Sequence, residues 1–239
     1  MSDTNPIEQN DEQENTVRDP QAPGLPLIHR GKVRNIFAVG GDRLLLLASD
    51  RISAFDGILP NGVPDKGRIL SRLATFWFGL TEHIIPNHLI SASWPEISSA
   101  TGLDPHLQQL VGRSMLVKRA ERIDIECVMR GYLAGSGWTE YHTHGTLAGV
   151  RLPSGLRQSE ALPAPAFTPA LKNDAGHDEN ISTEQLAERI GGDLAVRLES
   201  ASRELYAFAV RHALARGIII ADTKFEFGIL DGSLSLIDE

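Results

Sequence analysis

From Leu27 to Asp50 the hydrophobic pattern predicts a β-hairpin. Gly31–Phe37 alternates, Gly40-Gly41 turns, and Leu44–Ala48 is a continuous apolar run of the kind found in buried strands. A polar loop follows over Asp50–Gly57, and Pro60, Asn61, Gly62 and Pro64 break the chain again. From about Gly67 the period changes. Ile69, Leu73, Phe76, Leu80 and Ile84 recur every third or fourth residue and predict a helix buried along that stripe, stopped by Pro86. Ser114–Lys118 and Ile123–Met129 read as strands joined by a charged turn, and Ser136–His144 as a helix between glycine-rich loops. Leu152–His177, rich in Pro, Ala and Gly, reads as a long loop. Ser182-Thr-Glu-Gln185 has the spacing of a capping box and opens a short helix that Gly191-Gly192 ends. Leu194, Leu198, Ala201, Leu205, Phe208 and His212 predict a longer one, with Gly217 beyond its end.

The apolar run Ile218–Ala221 then leads, as from a core, into strict alternation: Asp222, Thr223, Lys224, Phe225, Glu226, Phe227. Strand side chains alternate faces, so Asp222, Lys224 and Glu226 share one face and the aromatics share the other. Asp231-Gly232 turns this strand into the last one, Leu234–Ile237. A tight two-residue turn would set Glu226 opposite Ile237. A loop one residue longer would set it opposite Asp238, and this is the register expected here. Two facing carboxylates repel unless a cation lies between them, which suits Mg²⁺; the alternative is two ordinary edge acids.

Composition narrows the choices. The 239 residues are enough for one sizeable domain or two lobes around a cleft. No apolar run approaches the ~20 residues of a membrane helix, and no signal-peptide core precedes the first strand. The single cysteine, Cys127, excludes an internal disulfide and a Cys-based metal cage, and favours a reducing compartment, the cytoplasm. A net charge of −8 argues against a broad nucleic-acid surface but not against small anions. The first 24 residues, rich in Asn, Gln, Asp and Glu, read as a disordered acidic tail.

Further candidates lie elsewhere. Lys32 and Arg34 are expected on one face of the first strand. They are either an exposed pair or a cover for nucleotide phosphates. Walker A and full GxGxxG sequences are absent. Glu126 and Arg130 flank Cys127 in an apolar strand, where charges are costly without partners. After Arg130, the small residues through Ser136 and Gly137 suit a phosphate at a helix start. Cys127 reads as core packing, and His177-Asp-Glu-Asn180 as either a substrate-facing loop or a helix-entry turn.

Five stretches, in order, resemble the phosphoribosylaminoimidazole-succinocarboxamide synthase family: Gly31–Phe37, Ser49–Asp56, Ile125–Trp138, Phe167-Thr-Pro with Gly176–Asn180, and Asp222–Gly228. The resemblance implies an α+β, two-lobed fold. An antiparallel-sheet N-lobe (residues 25–117) would cover an α/β C-lobe (118–239), with ATP in the cleft beneath the Gly31 hairpin. It implies an ATP- and Mg²⁺-dependent ligase of purine biosynthesis. L-aspartate would be joined to the carboxylate of carboxyaminoimidazole ribonucleotide, releasing ADP and phosphate. Lys32, Arg34, Lys118 and Glu226 are then expected at ATP, and Glu226 and Asp238 at Mg²⁺. Arg130 and Ser136 are expected at the ribonucleotide phosphate, and the catalytic pair Lys224 and Asp222 at its carboxylate and ribose. Lys172 and Asp178 fall to a substrate loop, and Arg51 and Asp56 to the aspartate side. The family continues past Asp238-Glu239 with a Pro-Asp-Ser-Ser-Arg-like stretch, so the chain reads as C-terminally shortened. A small-molecule kinase of similar build and a non-catalytic nucleotide-binding fragment are the rival readings.

Overall fold

The computed structural model describes residues 16–54, 57–172 and 179–239. The chain divides into two compact units, Met1–Gly79 with His88–Arg119, and Leu80–Asn87 with Ala120–Glu239.

The first unit is built on the predicted hairpin. Strands β1 (Leu27–Arg30), β2 (Arg34–Val39), β3 (Arg43–Ala48), β6 (Leu89–Ser91) and β7 (Ser114–Lys118) form a sheet in the order β1-β2-β3-β7-β6. Alternation in β2 sends Asn35, Phe37 and Val39 inward. The last two pack with Leu45, Leu47 and Leu116 against Trp94 and Ile97 of helix α2 (Trp94–Thr101). The polar stretch after Asp50 forms a separate ribbon of β4 (Arg51–Ala54) and β5 (Gly57–Gly62). Residues 16–24, expected in a disordered tail, are tied to the fold. Val17 N donates to Asp50 Oδ2 at 2.8 Å, Asn35 Nδ2 donates to Asp19 Oδ1 at 2.9 Å, and Ala22 lies in the core.

Helix α1 (Lys66–Thr81) forms where its period predicts but turns the other way. Ile69, Leu73 and Phe76 are about half exposed, whereas Ser71, Ala74 and Phe78 are buried. Close approach decides the facing. A Cβ on Gly67 would lie 2.5 Å from Ala48 O, so the helix meets the sheet through its small residues.

The second unit is an antiparallel sheet of β8 (Glu121–Tyr132), β11 (Ala161–Leu171), β12 (Glu179–Asn180), β13 (Asp222–Leu230) and β14 (Ser233–Asp238), in the order β12-β11-β8-β13-β14. A ribbon of β9 (Thr146–Leu147) and β10 (Val150–Arg151) follows α3 (Gly135–His144). Helices α4 (Thr183–Ile190) and α5 (Gly192–Leu214) come next, with the capping box of Ser182 and Gln185 formed as read. Helix α5 packs on β8, β11 and β13.

Two expectations fail in this unit. Within Leu152–His177, Ala161–Leu171 is a strand despite Pro163, Pro165 and Pro169. Strand β12 pairs only with Ala170 and Leu171, so most of β11 is an edge, where a missing N–H is tolerated. The run before Asp222 is not core either: Ile218 and Ile219 are 58% and 62% exposed, and β13 begins only at Asp222.

Candidate active site

The alternation in β13 becomes one polar sheet face. Asp222 is paired with Arg130, Lys224 with Val128, and Glu226 with Glu126; across β8, Ala166, Thr168 and Ala170 pair with the same three. Cross-strand partners share a face, so these side chains stand together. The other face carries Cys127, Met129, Phe167, Phe225 and Phe227, all buried, toward the α5 side where Leu198, Leu205 and Tyr206 are buried.

Arg130 organises one end. Its Nε donates to Thr168 Oγ1 at 3.1 Å and its Nη2 to Ser136 Oγ at 3.0 Å, while Nη1 lies 3.6 Å from Asp222 Oδ2. Burial pulls its pKa down, Asp222 and Glu140 push it up, and the group stays a cation. Ser136 and Gly137 lie in the first turn of α3, whose N-cap, Ala134, contributes no side-chain hydrogen bond. The first amides of a helix lack intrahelical partners, so cation and amides together suit an anion. Space is tight at two glycines here. A Cβ at 131 would collide with the Tyr206 phenol, which donates to Ile220 O, and one at 137 would lie 3.3 Å from Arg130 Cδ.

The other end carries the acids. Glu226 stands opposite Asp238 as expected, but not through a longer loop. Leu230 pairs with Ser233, so Asp231-Gly232 is a two-residue turn, with φ of 50° and 77°. A β-bulge at Ile237 supplies the extra residue, since Phe227 pairs with Leu236 and Glu226 with Asp238. Glu126, Glu226 and Asp238 thus form a row across β8, β13 and β14. Lysines answer it: Lys224 Nζ lies 2.5 Å from Glu126 Oε1, and Lys172 Nζ lies 2.5 Å from both oxygens of Glu226. Glu126 was recognisable in the sequence, four residues before Arg130 in one strand and so on its face.

In the described residues no three His, Cys, Asp or Glu side chains gather closely enough to hold a metal alone. Mg²⁺ does not require that. It is usually held by one or two carboxylates plus water and substrate phosphates, and a facing Glu and Asp fit that pattern.

In the first unit, Lys32 lies in the turn between β1 and β2, and Arg34 opens β2 opposite Ala48. The two therefore do not share a strand face. Lys118 is exposed at the end of β7. Arg51 is buried and grips the Lys32 turn, donating from Nε to Lys32 O at 3.0 Å and from Nη2 to Gly31 O at 2.9 Å and Asn35 Oδ1 at 3.0 Å. In this structure Arg51 positions the hairpin. Sequence reading also missed a buried pair. Arg113 donates from Nη1 to Asp50 Oδ1 at 2.8 Å and from Nη2 to Asp50 Oδ2 at 3.0 Å, across 63 residues of chain with no local signal. Asp56 and Asp178 lie outside the described residues.

A cavity of about 580 Å³ beside Ser136 is lined by Thr139, Glu140, Thr143, His144 and Gln185, among others, but by no Lys or Arg. An anionic group is better served by Arg130.

The fold and this face define an α+β protein with an arginine–serine anion cradle at one end of a sheet and facing carboxylates at the other. The SAICAR synthetase family profile matches residues 27–239, and the chain belongs to that family. It is 53% identical over 221 residues to the phosphoribosylaminoimidazole-succinocarboxamide synthase of Leptothrix cholodnii, covering 92% of this chain and 72% of that protein. It is 47% identical over 224 residues to the synthase of that name from Trichlorobacter lovleyi, covering 93% and 75%. Among solved structures, the Saccharomyces cerevisiae SAICAR synthase complexed with SAICAR matches with a TM-score of 0.84 and 41% identity, over 93% of this chain and 76% of that one. A type-2 SAICAR synthetase in complex with ADP, 24% identical with a TM-score of 0.71 over 88% and 79%, shares the fold. The family's enzymes are ATP-dependent ligases that join L-aspartate to carboxyaminoimidazole ribonucleotide in purine biosynthesis, and this chain is one of them. The kinase reading is set aside. No helix among the described residues is long and apolar enough to cross a membrane.

Proposed function

We propose that the polar face of the second sheet carries the ribonucleotide and the metal, and that the reaction runs in the cytoplasm. The observation that supports this most directly is the order of groups along β13. Asp222, beside Arg130, and Glu226, opposite Asp238, are four residues apart, roughly 14 Å at strand rise. A ribonucleotide with a phosphate at one end and a base carboxylate at the other can bridge that span. Arg130, Ser136 and the α3 amides bind the phosphate, Asp222 meets the ribose, and Lys224 neutralises the reacting carboxylate. Glu226 and Asp238 hold Mg²⁺, which when bound neutralises the ATP phosphates. In the first unit, Lys32, Arg34 and Lys118 are the groups suited to ATP phosphates.

The carboxylate oxygen attacks the γ-phosphorus and ADP leaves. The neutral amine of aspartate then attacks the acyl carbon, forming the amide bond as phosphate leaves and the nitrogen loses its proton. Positioning the amine beside the activated carbonyl supplies much of the rate. The test is ATP consumption by the purified chain. Turnover is expected only with aspartate and the carboxylated ribonucleotide both present. Hydrolysis indifferent to both would overturn the assignment of this face.

A further inference from the structure

Three carboxylates in adjacent register positions should repel one another, and Glu226 is 9% exposed, so water does little to separate them. The structure resolves this with an ammonium. Lys172 reaches from the end of β11 and sets its Nζ symmetrically between the two oxygens of Glu226, at 2.5 Å from each. That is the place a divalent cation coordinated by Glu226 would take. The pair is largely screened from solvent, at 23% and 12% side-chain exposure. Lys224 sets its Nζ against Glu126, the register neighbour.

We infer that Lys172 is an internal stand-in for the metal: its ammonium neutralises Glu226 until a divalent cation arrives, and the two exchange. This rests on Glu226 being a metal ligand. Ammonium and metal then compete for one carboxylate, so each weakens the binding of the other, and the coupling is reciprocal. Metal entry also releases the Lys172 ammonium toward an incoming anionic substrate. The exchange keeps Glu226 from standing uncompensated at any stage, which matters because an unpaired buried charge is far costlier than a pair.

The experiment is a Mn²⁺ titration without ATP, followed by the electron paramagnetic resonance of free Mn²⁺. It uses the wild-type chain, K172M, K172R and E226Q, with circular dichroism confirming the fold of each. The inference expects K172M to bind Mn²⁺ about fivefold more tightly than wild type or better, given the usual strength of a single ion pair. K172R, which keeps a cation there, should not. Equal affinities for K172M and wild type, with binding lost in E226Q, would overturn the exchange and leave the metal site standing. Undiminished binding in E226Q would overturn the metal assignment itself, and no binding in either wild type or K172M would overturn the exchange on the nucleotide-free chain. A second measurement needs no substitution. Acetylation of Lys172 in the wild-type chain, quantified by peptide mass spectrometry, should quicken several-fold on adding Mn²⁺; an unchanged rate counts against the exchange.

Discussion

Arg113→Met removes the guanidinium from a carboxylate that has no access to water: Asp50 is 0% exposed and Arg113 1%. Burial pushes the Asp50 carboxyl up, but the Arg113 hydrogen bonds and the amides of Gly67 and Val17 hold it, on balance, below its ordinary value. A depressed carboxyl stabilises the folded state above the unfolded pKa of ~3.9, and this is lost as pH falls through the folded value. In the variant the sign reverses. With the guanidinium gone, burial outweighs the two remaining amides, the folded pKa rises above ~3.9, and the destabilisation grows as pH climbs from there. Breaking a buried pair costs about 3–5 kcal/mol, and the two remaining amide donors argue for the lower end, about 3 kcal/mol near neutrality. Urea unfolding followed by fluorescence should report it, since Trp94 sits in the core of that unit. The deficit should shrink as pH approaches ~4. D50N/R113M should recover part of the loss. A deficit below ~1 kcal/mol, or one independent of pH, would refute the argument.

Two further outcomes follow from burial and close packing. Cys127 is fully buried and its thiol is pushed up to about 12, so a maleimide should label it only as fast as the sheet opens, in step with amide exchange of β8; rapid labelling of the folded chain would contradict this. Gly131→Ala drives a methyl into the Tyr206 phenol and should cost about 1–3 kcal/mol, with Y206F/G131A recovering some of it in thermal melts.

The elements were legible where a local pattern decides them. The α4 cap, the α3 helix and the alternation of Asp222–Phe227 each depend on a few neighbouring residues, and each formed. What failed was facing and long-range pairing. The apolar period of α1 is real, but small side chains at Gly67, Ser71 and Ala74 let the helix lie closer to its sheet than Ile69 or Leu73 would. The prolines of β11 read as loop because an edge position cannot be seen from within one strand. The Asp50–Arg113 and Lys172–Glu226 pairs join residues 63 and 54 apart, so only the folded topology reveals them. The acid pair illustrates both sides: Glu226 does face Asp238, but a bulge, invisible to turn chemistry, puts it there.

That bulge makes the hairpin tip a candidate for engineering. The alignment of Asp238 with Glu226 depends on Ile237, five residues beyond Gly232, and not on loop length. A reporter peptide or fluorophore spliced between Asp231 and Gly232 should therefore leave the two acids in place, provided Leu230 and Ser233 keep their pairing. Deleting Ile237 alone would convert the bulged ladder into a regular one and still leave Asp238 across from Glu226. The same acid pair can thus be carried on two differently twisted edges, which gives a way to ask how much the pitch of that edge matters to the ions it holds.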